Sequence, residues 1–187
     1  NAAIDNLKSE MDRGNVRVST EIEVTKELVE NHAPDVIICA MGSEWEATGF
    51  SSSRPDRSTL PGHEQENVIS IDTAVRRALE GPGNLGNKVL IVDDTGEYLP
   101  FGLAEVLIDA GVSVEIVCPR AIVGENVAGA MEGGHTFPRL ESKGVVMTAN
   151  AFVESVEGEG AEIYSLWGGW RRTFEANTVV LSLLRRP

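Results

Sequence analysis

The sequence predicts an α/β fold: a doubly wound parallel sheet with a small antiparallel meander attached to it. The main observation is a strand–helix–strand pattern over Lys88–Val92, Gly102–Ala110 and Val112–Val117. Both strands are continuous apolar runs, which is typical of parallel strands covered on both faces. A helix between two such strands within about 30 residues is a βαβ unit, the building block of a Rossmann-like sheet.

Short apolar segments on either side of this unit predict the other elements. We expect helices at Thr25–Glu30, Asp72–Glu80 and Phe137–Ser142, a buried parallel strand at Asp35–Ala40, short strands at Val145–Met147, Ala151–Val156, Ala161–Leu166 and Arg171–Glu175, and a further parallel strand at Thr178–Leu184. Glycine turns between the short strands indicate the antiparallel meander. We also expect Asp35–Ala40 and Thr178–Leu184 to be neighbours in space.

The charge of the chain limits its partners. It has 16 Lys and Arg residues against 29 Asp and Glu, a formal net charge of −13. Polyanions are repelled by such a surface, so we expect neither nucleic acid nor an anionic membrane as a partner. The chain has no apolar run of membrane-spanning length and no secretory signal, which indicates a cytoplasmic location. Both ends look cut, so we expect a piece of a longer chain.

The two cysteines, Cys39 and Cys118, each stand at the end of an apolar run. Buried thiols in a reducing compartment are the expectation. The sequence has no Cys-x-x-Cys pair, so we expect this chain to hold neither an iron–sulfur cluster nor a zinc ion through cysteine. It also has no recognisable catalytic arrangement of Ser, His and Asp or of Cys and His. By itself the chain is therefore expected to be inactive and to carry no cofactor or metal.

Five segments follow an order found in a known group of enzymes. They are PDVIICAMG, LPGHEQENVISIDTAVR, KVLIVDDTGEYLPFGLAEVLIDAGVSVEIVCP, RLESKGVVMTANAFVESVEG and ANTVVLSLLRRP. Their order resembles that of reductases with two dinucleotide-binding domains. More narrowly, AEIYSLWGGWRRTF resembles the trimethylamine dehydrogenase and 2,4-dienoyl-CoA reductase branch of the NADH:flavin oxidoreductase (old yellow enzyme-like) family.

The resemblance implies a longer parent protein with FMN, a [4Fe–4S] cluster, and FAD or ADP, all outside this chain. It implies that residues 1–44 are a partial flavin-type domain segment, 45–86 a crossover and linker, 87–176 an inserted NAD(P)-binding-like domain, and 177–187 the return strand to the flavin-type domain. The implied partners are the rest of the parent chain, an external electron-transfer flavoprotein and further copies in a homo-oligomer. Two segments depart from the family pattern: Met41 lies before Gly42 where the family usually has Thr, and Ser182-Leu183-Leu184 replaces the usual Ala/Ser-Thr-Gly.

The phosphate-binding turn is the main candidate site, and its sequence is degenerate. A working G-x-G-x-x-G turn lets backbone N–H groups at a helix N-terminus reach a pyrophosphate. Here Asp93 takes the first glycine position and Thr95 the second, and Pro100 removes a donor from a loop longer than the motif permits. A carboxylate beside a phosphate costs several kcal/mol in a partly dehydrated crevice. The candidate crevice residues are Asp93, Asp94, Thr95, Gly96, Gly102, Arg120 and Gly42, with Gly102 expected to let helix and strand approach closely.

Other interpretations of these residues stay open. Asp93 and Asp94 could bind a metal ion or ribose hydroxyls, and Arg120 could contact a 2′-phosphate, although a lone Arg after a strand is more often a solvated charge. Among the aromatic residues, Trp167 is expected in the core of the meander and Trp170 on the surface, with the composition of an interface anchor.

Three functions are compatible with the sequence. The leading hypothesis is a non-catalytic, nucleotide-binding-like region of an amine-dehydrogenase-like iron–sulfur flavoprotein, acting as scaffold or interface. The second is the NAD(P)H-binding domain of a dienoyl-CoA reductase-type enzyme that uses an altered turn. The third is an interaction module with no part in redox chemistry.

Overall fold

The computed structural model describes residues 2–187, which form two compact units. The first unit ends at Ala40 and the second is Met41–Pro187. Each is described by itself below. Among the described residues, no helix is long and apolar enough to cross a membrane.

The first unit contains two helices, α1 (Ala2–Arg13) and α2 (Lys26–His32). Thr25 caps α2, because its Oγ1 accepts a hydrogen bond from the Leu28 N–H at 3.2 Å. The strand predicted at Asp35–Ala40 is wrong: this segment forms no strand, and all of its residues are exposed, Ile38 by 86%. An apolar run becomes a buried parallel strand only beside other strands, and the described part of this unit contains none.

The second unit contains the remaining elements. In chain order they are β1 (Glu44–Trp45), β2 (Val68–Ser70), α3 (Ile71–Glu80), a 3-10 helix (Pro82–Leu85), β3 (Lys88–Asp93), α4 (Tyr98–Asp109), β4 (Ser113–Val117), α5 (Glu125–Gly129), α6 (Gly133–Lys143), β5 (Val146–Thr148), β6 (Ala151–Glu157), β7 (Gly160–Ser165), β8 (Arg171–Glu175), β9 (Thr178–Ser182) and β10 (Arg185–Arg186). The short strands β1 and β10 pair antiparallel as a separate ribbon.

Five parallel strands form the central sheet in the order β2–β9–β3–β4–β5. The chain runs outward from β3 through β4 to β5 and returns to β9 on the other side of β3, so the order reverses between β3 and β9. The predicted α/β, Rossmann-like class is confirmed, and β6–β8 form the antiparallel meander. Asp35–Ala40 belongs to the first unit and β9 to the second, so the prediction that these two segments are neighbours in space stays a prediction.

Different layers cover the two faces of the sheet. On β3, Val89 and Ile91 pack in a core with α3, α4 and α6. The alternate residues Leu90 and Val92 pack in a second core with β6 and β7. Helices therefore cover one face and the meander the other, which explains why the strands are continuous apolar runs.

An ion pair between a buried carboxylate and a partly exposed arginine joins the sheet to the meander. The Glu115 side chain on β4 is only 4% exposed, and it pairs with Arg172 of β8. Thr148 Oγ1 of β5 donates to Glu115 Oε1 at 2.5 Å. A carboxylate in an apolar core needs such donors to offset the loss of its hydration. This contact adds an ionic link to the apolar packing between the meander and the sheet.

We expect Arg172→Met to lower the free energy of unfolding by about 2 kcal/mol, because it leaves the buried Glu115 carboxylate without its counter-ion. The neighbouring pair Arg171–Glu162 is exposed on both sides, so Arg171→Met is the matched control and should change stability by about 0.5 kcal/mol or less. Urea unfolding monitored by circular dichroism measures both. Equal losses in the two variants would contradict a special role for the Glu115 pair.

Candidate functional site

The predicted phosphate turn lies at the carboxyl ends of β3 and β9, where the strand order reverses and ligands of such folds bind. Asp93, the last residue of β3, stands opposite Ser182 of β9. Helix α4 begins at Tyr98, four residues earlier than predicted, so the turn contains only Asp94–Glu97. Our expectation of an overlong loop is therefore wrong. The apolar residues before Gly102 extend the helix toward the strand.

Asp93 fills this turn with its own carboxylate. Its side chain is fully buried. Its Oδ1 accepts hydrogen bonds from the Thr95 N–H at 2.9 Å, the Thr95 hydroxyl at 2.7 Å and the Gly96 N–H at 3.1 Å. In a working fingerprint such turn N–H groups face the phosphate. Here they already bind an anion supplied by the chain.

Pro100 and Gly102 both lie within α4. Pro100 is the third residue of α4, where an N–H has no intrahelical partner, so it breaks no helix bond although it removes one free donor. Gly102 lies inside α4, and a Cβ placed there would meet no atom within 4 Å. The expectation that Gly102 permits a close approach of helix and strand is wrong, because the helix surface at this position is open.

Asp94 is also buried, and a serine loop, residues Ser51–Ser53, binds it. Ser51 Oγ donates to Asp94 Oδ2 at 2.6 Å, Ser52 Oγ to the same oxygen at 3.2 Å, and Ser53 Oγ to Oδ1 at 2.9 Å. Sequence reasoning missed this loop, because hydroxyls more than 40 residues away in sequence carry no periodic signal.

Arg120 closes the other side of the turn. Its guanidinium donates to the Asp94 carbonyl oxygen at 3.0 Å and to Glu125 Oε2 at 3.1 Å. Arg120 is therefore hydrogen-bonded within the protein, and its side chain is also 40% exposed. Residue Asn126 of α5 also joins the turn: its amide donates to the Thr95 carbonyl at 3.0 Å and to Glu97 Oε1 at 2.8 Å.

The structure thus brings together Asp93, Asp94, Thr95, Gly96 and Arg120 and adds four residues that the sequence did not indicate: Ser51, Ser52, Ser53 and Asn126. Gly42 makes none of these contacts and lies in an exposed segment with left-handed backbone. In the described part of the chain, no three His, Cys, Asp or Glu side chains are placed to hold a metal ion.

Burial changes the acidity of two groups at this edge. Desolvation raises the pKa of Asp93, although hydrogen bonds from Thr95, Gly96 and Ser182 oppose the shift. Burial raises the pKa of the Cys118 thiol to about 11, so it stays protonated and unreactive at neutral pH. Cys118 is buried as predicted, whereas Cys39 is exposed, contrary to our expectation.

The tryptophans of the β7–β8 turn are both exposed. Trp170 is 40% exposed, which confirms the predicted surface position. Trp167 is 83% exposed, so its predicted place in the core of the meander is wrong. Strand β7 ends at Ser165, and the in-and-out alternation therefore stops before Trp167.

Comparisons with known proteins show relatives of part of the chain. No protein-family model matches it. The N,N-dimethylglycine/sarcosine dehydrogenase of Chromohalobacter salexigens is 30% identical over 131 residues, which are 68% of this chain. The match spans only 17% of that dehydrogenase.

Solved structures share the fold. Histamine dehydrogenase from Rhizobium sp. 4-9 superposes with a TM-score of 0.67 and 22% identity, over 78% of this chain and 22% of that one. The 6-hydroxypseudooxynicotine amine oxidase from Pseudomonas geniculata N1 superposes with a TM-score of 0.73 and 18% identity. The match covers 88% of this chain and 24% of the oxidase. A 2-naphthoyl-CoA reductase superposes with a TM-score of 0.65 and 20% identity. The match covers 95% of this chain and 24% of the reductase. This chain thus has the fold of a segment that makes up about one quarter of each of these oxidoreductases.

The raised pKa of Asp93 predicts a pH-dependent stability. The folded chain keeps a proton on Asp93 at pH values where the unfolded chain has lost it, so the free energy of unfolding falls as the pH rises from the ordinary Asp pKa through the raised one. Asp93→Asn cannot ionise. We therefore expect the stability of this variant, relative to the unmodified chain, to rise over that window and to level off above it.

The matched control for Asp93→Asn has the opposite sign. Burial raises the pKa of Glu46, but hydrogen bonds from Thr48 and the charge of Arg186 outweigh it and lower the pKa below its ordinary value. Glu46 therefore contributes stability above the ordinary Glu pKa that is lost as the pH falls, and Glu46→Gln removes it. Urea titrations at a series of pH values measure both differences. If the free energy of unfolding changes with pH in the same way in Asp93→Asn and in the unmodified chain, the raised pKa of Asp93 is refuted.

Proposed function

We propose that this chain is the nucleotide-binding-like module of a larger flavoprotein oxidoreductase of the amine-dehydrogenase type. Its dinucleotide site is degenerate, and the module serves as scaffold or interface. The observation that carries this proposal is the hydrogen bonding of Asp93: its carboxylate takes the Thr95 and Gly96 N–H groups that a phosphate would need.

In this proposal the obstacle to nucleotide binding is electrostatic, because carboxylates lie where the phosphates would bind. An incoming pyrophosphate would meet the carboxylates of Asp93 and Asp94 and, beside them, Glu97. The N-terminus of α4 offers only about half a unit of positive charge. Arg120 does not compensate, since its guanidinium is bound to Asp94 and Glu125. The same contacts disfavour a 2′-phosphate site at Arg120.

The named relatives support the wider context. Two of the structural relatives are a histamine dehydrogenase and an amine oxidase. The sequence relative is a dehydrogenase of N,N-dimethylglycine and sarcosine, which are N-methylated amino acids. In this proposal the flavin, the [4Fe–4S] cluster and the FAD or ADP site of the family belong to the remainder of a cytoplasmic parent. Electrons pass from there to an electron-transfer flavoprotein.

A calorimetric titration tests the degenerate site. We expect no measurable heat of binding when NADH or NADPH is added to this chain at sub-millimolar concentration. Asp93→Gly frees the turn N–H groups but should gain little affinity, because Asp94 and Glu97 keep their charges. Tight binding to the unmodified chain would contradict the proposal and favour a dienoyl-CoA reductase-type NAD(P)H domain. Weak binding that strengthens at low pH would mean that the carboxylates tune a working site.

The activity of a longer polypeptide containing this chain tests the redox assignment. We expect N-methylated amines or amino acids to reduce an artificial electron acceptor in its presence, with NADH unable to replace them as the electron donor. Oxidation of NADH coupled to reduction of an enoyl-CoA, with no amine-dependent dye reduction, would contradict the amine-dehydrogenase assignment.

A further inference from the structure

Residues 50–59, which include the serine loop, form a longer loop whose two ends meet. The Leu60 N–H donates to the Thr48 carbonyl oxygen at 2.9 Å, and a Cβ at Gly49 would overlap the side chain of Leu60. Gly49 has a left-handed backbone with a φ of 82°, which glycine adopts without strain. A loop of this length with joined ends is a compact unit of its own, and such loops are frequently functional. We call residues 50–59 the lid.

The lid covers the carboxyl ends of β3 and β9. Its three serine hydroxyls bind the carboxylate of Asp94, and the Asp94 side chain is only 2% exposed. The Asp94 N–H donates to the Ser182 carbonyl oxygen of β9 at 3.0 Å. Asp94 thus joins the two strands between which the strand order reverses. The lid therefore lies over the place where ligands of such folds bind.

A second set of contacts holds the lid to the meander. Arg57 pairs with the Glu154 carboxylate of β6 and donates to the Glu154 carbonyl oxygen at 2.9 Å. Arg54 lies 3.5 Å from the same carboxylate and donates to the Tyr164 hydroxyl of β7. The two arginines and Glu154 are half-buried, so water partly screens their attraction.

The lid has almost no apolar core. Within residues 50–59, all of which the structure describes, only Ser51 is buried, and the apolar residues Phe50 and Pro55 are half-buried and exposed. A segment with few buried apolar contacts can open while the rest of the protein stays folded. At Asp94 the closed state is also offset by the loss of hydration, because Arg120 lies 3.9 Å from this carboxylate, beyond hydrogen-bond reach. Opening breaks the hydroxyl contacts but returns the carboxylate to water.

We propose that residues 50–59 are a lid that opens as a unit about Gly49 and Leu60 and controls access to the carboxyl edge of β3 and β9. The closed lid places its serine hydroxyls on Asp94 and its arginines on the meander. The open lid exposes the Asp94 carboxylate and the turn that follows β3. The Thr48–Leu60 hydrogen bond lies outside the lid and stays intact in both states. This inference goes beyond the proposed function and does not depend on whether a nucleotide binds.

Hydrogen exchange of individual backbone amides, followed by NMR, tests the lid. In the closed state the N–H groups of Ser53, Arg54 and Arg57 are hydrogen-bonded within it. We expect the protection of these amides to be about tenfold or more below that of the Leu60 N–H and of the central strand β3. Lid amides as well protected as β3 would overturn the proposal, because the lid would then open only when the whole unit unfolds. Loss of protection at Leu60 together with the lid would overturn the hinge.

Two substitutions loosen the lid at different contacts. Ser51→Ala removes a donor to Asp94, and Glu154→Gln removes the charge that binds the two arginines. Each should lower the protection of the Arg54 and Arg57 amides by about fivefold or more and leave β3 unchanged. Trypsin cleavage of the Arg57–Ser58 bond should accelerate by a similar factor, because the protease acts on the open state.

Ser58→Ala and Glu162→Gln are the matched controls. They make the same two changes at an exposed serine of the lid and at the exposed ion pair that Glu162 forms with Arg171 on the meander. Both should leave the protection of the lid amides unchanged, and circular dichroism establishes that all four variants are folded. Exchange in Ser51→Ala and Glu154→Gln that is no faster than in their controls would also overturn the proposal.

Discussion

The central sheet can exist only if both of its faces are covered, because parallel strands of this kind have no polar face. Helices α3, α4 and α6 cover one face and the meander β6–β8 the other. The second cover combines apolar packing with one ionic contact. Glu115 lies on β4 beneath the meander, and its carboxylate is neutralised by Arg172 and bonded by Thr148. Separating the meander from the sheet would leave the Glu115 carboxylate without its counter-ion.

A related rule explains the carboxyl edge of the sheet. A buried carboxylate must find donors, and a short turn at the start of a helix offers N–H groups without partners. Asp93 bonds to such groups in its own turn. The N–H groups of this turn thereby have acceptors within the chain. Asp94 is satisfied in another way, by three serine hydroxyls from a distant loop.

Helix α4 links these features. Its N-terminus follows the acidic turn, its inner side holds the helical layer on the sheet, and its outer side forms an apolar groove with α3, the α3/α4 groove. In a nucleotide-binding domain the N-terminus of this helix would be the functional part. Here the Asp93 carboxyl group accepts the N–H groups of that turn. The chain spans only about one quarter or less of the length of its relatives.

The local pattern of residues determined much of this fold. Continuous apolar runs located β3, β4 and β9, and glycine turns located the meander. Asp93 in a glycine position predicted a degenerate phosphate turn, and this stays a prediction; the structure adds that the Asp93 carboxyl group accepts the Thr95 and Gly96 N–H groups. Signals of this kind depend on residues close together in sequence, and therefore one sequence is enough to detect them.

Only the tertiary structure decided the features that depend on distant partners. Asp35–Ala40 has the composition of a buried strand but lies exposed, since a strand needs neighbours that a local pattern cannot supply. The start of α4, the serine loop on Asp94 and the bound state of Arg120 all follow from contacts across many residues. The α3/α4 groove became visible only when two helices separated by a strand were packed side by side. Packing and charge neutralisation act between residues that are close in space, and the sequence alone does not specify which residues those are.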